Sequence, residues 1–207
     1  MLKELKKRYK KTGPFANWST PLELVVATIL SAQCTDVRVN QVTPELFRLY
    51  KTALSYANAN ILDIERIVYS TGYYKSKARH LLGMGKVISQ NFNGEVPYTY
   101  EDLLRIPGVS KKSACIIGAK AFEKFFGVAV DTHVARVAPR LGWTKSKSRD
   151  AISRDLEKIF PKKEYLCVNE YLIMLGRDVC TSRNPKCEKC LFFETCPKIG
   201  VHKEDKK

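Results

Sequence analysis

The chain has 207 residues, enough for one domain or two compact lobes around a buried core. Its 36 lysines and arginines against 21 acidic residues give a formal charge of +15, spread along the chain, which favours a polyanionic partner: nucleic acid first, a membrane surface second. No run approaches the roughly 20 apolar residues that span a bilayer, and the basic start MLKELKKRYKK leads into no apolar stretch and is no secretory signal. An intracellular protein is therefore expected. Its seven cysteines then point to metal binding or catalysis rather than disulfides.

The pattern is helical nearly throughout. Thr20-Pro21-Leu22-Glu23 reads as a capping box with proline at the first helical position, opening an apolar helix through Val25, Val26, Ile29 and Leu30. Pro44 is expected to start a new helix rather than to sit inside one. Further helices are expected over about 61–69, 73–91, 99–106, 111–123, 132–141, 148–160 and 164–177. Thr99 is the expected cap of the third, with Asp102 three residues on. Short β-like runs such as Gly127–Val130 have no partner in the sequence, so an all-α protein of about ten short helices is predicted.

At the centre one helix stops at Ile106-Pro107-Gly108-Val109-Ser110 and another begins at Lys111, with Ala114, Ile117, Gly118 and Ala121 on one face. A glycine turn directly before a helix exposes backbone N–H groups that suit a phosphate, and Lys111 and Lys112 add charge. An ordinary helical hairpin with two solvated lysines fits the same residues. Asp131, before Thr132-His133-Val134, is a good N-cap. Tyr73 and Tyr74 fit ordinary packing at a helix start. Cys180, Cys187, Cys190 and Cys196 give C-x6-C-x2-C-x5-C. Four thiolates in one loop suit a [4Fe–4S] cube, whereas zinc usually takes two tight pairs, of which only Cys187 and Cys190 form one. Cys34, Cys115 and Cys167 read as buried small hydrophobes.

The segments Leu103 to Ala114 and Ala129 to Val137 resemble the helix–hairpin–helix and the following aspartate loop of the endonuclease III family of DNA glycosylases. The resemblance extends to Leu30-Ser31-Ala32-Gln33-Cys34-Thr35-Asp36 and to the spacing of the cysteine cluster, in the family's order along nearly the whole chain. It implies the helix–hairpin–helix DNA glycosylase fold and a bifunctional enzyme of base excision repair, releasing oxidised pyrimidines from duplex DNA and then cleaving the strand.

By resemblance Lys112 is the nucleophile that forms a Schiff base with the sugar, and Asp131 is the carboxylate that stabilises the developing sugar cation. A neutral amine is needed where free lysine titrates near about 10.4; the helix N-terminus and Lys111 both act against the ammonium form. Gln33 is the side chain that fills the gap left by the extruded base, and Tyr73 the wedge on the opposite strand. Gly108, Ser110 and Lys111 are expected at the DNA backbone, as are Arg183 and Lys186 in the loop between the first two cluster cysteines. His133 is expected to be structural.

The sequence departs from the family pattern at three places. Tyr73 replaces an aliphatic wedge, which bears on the preferred opposite base. Ser110 stands where many members have the hairpin's second glycine. Gly72-Tyr73-Tyr74 resembles the adenine-glycosylase branch, which has glutamate where Thr28 aligns, lacks the Lys112 lysine and carries an additional C-terminal domain.

The expected organisation is a helical barrel lobe over about 15–127 and an iron–sulfur lobe formed by 1–14 with 128–207, with DNA in the cleft between them. The expected state is a monomer near the nucleoid of a prokaryote, bound to no membrane. Two alternatives remain open: a monofunctional uracil or thymine mismatch glycosylase, which Lys112 disfavours, and a non-catalytic helix–hairpin–helix DNA-binding protein.

Overall fold

The computed structural model describes residues 2–10 and 16–201. In chain order the helices are α1 (Leu2–Arg8), α2 (Pro21–Leu30), α3 (Asp36–Leu49), α4 (Ala53–Ala57), α5 (Ile61–Val68), α6 (Tyr74–Asn91), α7 (Tyr100–Leu104), α8 (Lys111–Phe122), α9 (Thr132–Arg140), α10 (Arg149–Ile159) and α11 (Tyr165–Asp178). Among the described residues no strand forms, so the fold is all-α as expected.

Short polar side chains set most of the helix starts. Thr20 Oγ1 accepts the Glu23 amide at 3.2 Å, but Glu23 reaches back to the Ser19 amide at 2.6 Å, one residue beyond the position of a simple capping box. Thr35, Thr52, Asn60, Thr99 and Ser148 cap α3, α4, α5, α7 and α10 in the same way. Pro44 departs from the sequence expectation: it sits inside α3, which runs through it. A mid-helix proline removes one hydrogen bond and costs about 3 kcal/mol. The buried face of Val39, Val42, Thr43 and Leu46 offsets that, since each buried aliphatic side chain contributes about 1.5–3 kcal/mol.

Two compact units divide the chain, one of Pro14–Phe126 and one of Met1–Gly13 with Gly127–Lys207. The expected lobe boundary at residues 14 and 15 lies outside the described residues. In the first unit α2 is the central element, with Val25, Val26, Ile29 and Leu30 all buried against α6 and α8. The α6 helix lies close against α4, because a Cβ on Gly85 would stand 2.5 Å from the Ala57 amide nitrogen and 2.7 Å from the Ala53 carbonyl oxygen. No other residue fits there.

In the second unit α9 packs on α11, and α1 lies along α11 through buried Leu2 and Leu5. Arg8 fastens α1 by donating to Asp178 at 2.9 Å and to the Lys189 carbonyl at 3.1 Å, and the Tyr9 hydroxyl donates to Asp178 at 3.0 Å. The extended run 127–130 is held by side chains in place of a neighbouring strand. Glu157 accepts from the Val128 amide, Ser153 donates to the Val128 carbonyl, and buried Asn169 donates to the Ala129 carbonyl at 2.7 Å.

Candidate active site

The hairpin is built by local hydrogen bonding around one glycine. Thr99 Oγ1 accepts the Asp102 amide and donates to the Asp102 carboxylate, which also accepts from Arg105 at 3.0 Å. The α7 helix then ends, and the Val109 amide returns to the Ile106 carbonyl. Gly108 has φ +85° and lies against His80 of α6, whose ring a Cβ would meet at 3.1 Å. Left-handed backbone and close approach both demand glycine here. Ser110, expected as a turn variant, is the N-cap of α8: its hydroxyl oxygen accepts the Ser113 amide at 3.2 Å. Lys111 and Lys112 follow as the first two residues of α8, both exposed. A helix start leaves four N–H groups without intrahelical partners, so this turn presents positive partial charge beside two lysines.

Asp131 caps α9 from the second unit. Its Oδ1 accepts both the His133 and the Val134 amides at 2.9 Å. The cap therefore engages one carboxylate oxygen, and the side chain stays half-buried. Two arginines fix the body of α9, and no sequence motif singles them out. Arg136 donates to the carbonyls of Cys180 and Gly176 at 3.1 and 3.0 Å, with His133 Nδ1 3.1 Å from its guanidinium. Arg140 donates to the carbonyls of Thr181 and Ser182 and to Cys180 Sγ at 3.5 Å. Their spacing of four residues on one helix was the available signal.

The loop they hold is the one between Cys180 and Cys187. The Lys186 amide donates to the Val179 carbonyl and closes it, and Asn184 turns it with φ +45°. Arg183 and Lys186 are exposed on this loop. Cys180, Cys187, Cys190 and Cys196 all line one pocket, together with Arg140, Leu141, Leu175 and Phe193. Burial, then the neighbouring thiols, push the Cys187 thiol up. Burial and the same mutual repulsion do so at Cys190. The Lys198 amide donates to Cys196 Sγ at 3.4 Å.

Among the described residues no group of three or more His, Cys, Asp or Glu is set to hold a single metal ion. A four-iron cube spreads its thiolates farther than one tetrahedral ion at about 2.3 Å from each sulfur. Four soft thiols around one pocket, with N–H donors aimed at sulfur, fit such a group. The three remaining cysteines correct the sequence expectation: Cys34, in the turn between α2 and α3, Cys115 on α8 and Cys167 on α11 are half-buried rather than fully buried.

Gln33 and Tyr73 share an unusual backbone state. Both are exposed, Tyr73 to 67%, and both are left-handed, with φ +52° and +50°. Such strain in non-glycine residues concentrates at functional sites. Tyr74 packs against Tyr69, the rings tilted by 52° with centroids 4.8 Å apart, so the packing role expected of the tyrosine pair falls to Tyr74 and leaves Tyr73 projecting.

The chain matches the family described as the HhH-GPD superfamily base excision DNA repair protein over residues 26–162. It is 44% identical to an endonuclease III of Synechocystis sp. over 93% of this chain and 88% of that one. A solved structure of a trapped endonuclease III–DNA covalent intermediate superposes with a TM-score of 0.88 at 35% identity, covering 95% of this chain and 92% of the other. A thermostable thymine-DNA glycosylase shares the fold at a TM-score of 0.84 and 22% identity, covering 95% of this chain and 92% of that one.

Proposed function

The chain belongs to the endonuclease III family, within the HhH-GPD superfamily of base excision DNA repair proteins, and on that premise we propose that it is a bifunctional DNA glycosylase and abasic-site lyase that removes oxidised pyrimidines from duplex DNA. The observation that carries this reading is an exposed lysine, Lys112, in the first turn of α8 directly behind the Gly108 turn. A monofunctional enzyme needs no amine there.

Lys112 Nζ attacks C1′ of the damaged nucleoside. The bond from C1′ to the base breaks and the base leaves with the electron pair. The sugar ring then opens to a Schiff base on Lys112, which acidifies the C2′ proton. Its loss expels the 3′ phosphate by β-elimination. Asp131 stabilises the positive charge that develops on the sugar while its Oδ1 keeps α9 capped. The Gly108 turn, Ser110 and Lys111 take the phosphate backbone, as do Arg183 and Lys186, which carry no base identity. Gln33 fills the stack and Tyr73 presses on the opposite strand.

Cys180, Cys187, Cys190 and Cys196 hold a [4Fe–4S] cluster, which supplies architecture and no chemical step. Iron and acid-labile sulfide in anaerobically purified protein test this. The partner is double-stranded DNA carrying damaged bases or abasic sites, bound by a monomer at the nucleoid. The bacterial relatives support that setting, and among the described residues no helix is long and apolar enough to cross a membrane.

A panel of duplex oligonucleotides, each with one lesion, tests the function. Release of oxidised pyrimidines with coupled strand cleavage is expected. Excision confined to uracil or thymine mismatches, without cleavage, selects the monofunctional alternative; binding without excision selects the non-catalytic one.

A further inference from the structure

Lys77 is a buried charge with a specific pair of partners. It is 3% exposed, on the face of α6 otherwise made of Ala78, Leu81, Met84, Gly85 and Ile88. Its ammonium donates to the Leu30 carbonyl and to the Thr71 carbonyl, each at 2.8 Å. The two oxygens therefore stand no more than 5.6 Å apart, twice 2.8 Å. Leu30 is the last residue of α2, where carbonyls lack intrahelical partners, and Thr71 is the last residue of the 3-10 turn Tyr69–Thr71. The charge suits the negative end of α2.

Both carbonyls lie just upstream of a residue assigned to the DNA stack. Gln33 comes three residues after Leu30 and Tyr73 two residues after Thr71. Both are exposed and left-handed. Each is separated from the clamp by a stretch that is itself fixed. Ser31 Oγ donates to the Ala27 carbonyl, and the Cys34 amide to the Ser31 carbonyl. On the other side Thr71 Oγ1 donates to the Val68 carbonyl at 2.7 Å, and the Lys77 amide itself donates to the Tyr73 carbonyl at 3.0 Å. A lysine in a hydrophobic face is costly, and burial pulls the Lys77 amine below its ordinary range. An aliphatic side chain would pack this face at no such cost but would leave both carbonyls unserved.

We propose that Lys77 is the positioning residue of base extrusion: its buried ammonium clamps the Leu30 and Thr71 carbonyls and so fixes the spacing of Gln33 and Tyr73. This rests on the glycosylase reading above. Lys77 touches neither base nor sugar in this role; it acts through the two residues that enter the duplex.

The test compares two substrates for each variant: a lesion in duplex DNA, and a preformed abasic site in a single-stranded oligonucleotide scored by borohydride trapping. A 2-aminopurine opposite the lesion reports unstacking. Lys77→Met should lower duplex excision by about 10²-fold, as ångström-scale misplacement does, and abolish the 2-aminopurine signal, while single-strand trapping persists. Lys77→Arg, with two donors for the two carbonyls, should recover duplex excision and the signal. Lys77→Gln, whose shorter amide serves one carbonyl, should fall between, and it decides the matter where Lys77→Met does not fold. Variants that keep the wild-type ratio of duplex to single-strand rates, or that lose both activities equally, overturn the proposal. Wild-type protein inert on both substrates overturns the glycosylase reading instead.

Discussion

At Asp131 one carboxylate oxygen is committed to structure, since Oδ1 accepts two amides at the start of α9. Charge and cap can be separated by substitution. Asp131→Asn keeps an oxygen acceptor and should leave the fold intact while lowering single-turnover excision by about 10²–10³-fold, as expected for loss of transition-state charge stabilisation. Asp131→Ala should lose in addition about 1 kcal/mol of stability, a fall in Tm of about 2–4 °C. An Asp131→Asn enzyme of full activity would leave the residue with its cap alone. Single residues also mark the limits of sequence reading. The cap at Asp131 was legible because an aspartate directly precedes the helix, whereas Ser110 was masked by the turn signal of Pro107-Gly108. Lys77 was hidden among 36 basic residues. Its only trace is register, for it occupies the first position of the apolar stripe completed by Leu81, Met84 and Ile88.

Elements were easier to read than their tethers. The starts of α2, α7 and α9 were visible in local polar residues, whereas α3 was not. Its helical face continues through Pro44, and tertiary burial outweighs the local break. The N-terminal segment was expected beside residues 128–207, but the tether that fixes α1 to α11 was not legible, since it depends on Arg8 and Tyr9 meeting Asp178 far along the chain. That tether has a defined pH window. The Arg8 hydrogen bond, then that from Tyr9, holds the Asp178 carboxyl below the usual carboxylate range. Its contribution is complete above the unfolded value of about 3.9 and is lost as pH falls through the lower folded value. Burial and then the Asp178 hydrogen bond push the Tyr9 phenol up to about 12, so its contribution is complete below the ordinary value of 10.0 and is lost as pH rises toward that level. Hydrogen exchange of the α1 amides, corrected for intrinsic rates, should be slow at neutral pH and accelerate at both extremes. In Asp178→Asn it should be fast already at pH 7. Equal protection in both proteins at pH 7 would mean that the apolar contacts of Leu2 and Leu5 alone hold the helix.

Across the whole molecule, the +15 charge supplies affinity for DNA while a few residues supply chemistry. The charge and the motif order were legible because both survive in one dimension. The placing of α9 by Arg136 and Arg140 was not, because it depends on the carbonyls of Cys180 and Thr181. Arg183→Ala and Lys186→Ala, on that loop, should weaken binding alike for every sequence, and each should flatten the salt dependence of log affinity by about 1. An unchanged slope in both would remove the loop from the DNA backbone. The central claim is that Lys112 forms a covalent bond to the sugar, and borohydride trapping on a lesion-bearing duplex measures it most directly. Wild-type protein should yield a stable protein–DNA adduct. Lys112→Gln should yield no adduct and no strand cleavage while retaining most of its DNA affinity, since it loses one charge of a large basic surface. A folded, DNA-binding Lys112→Gln protein that forms the adduct at the wild-type rate would contradict the account.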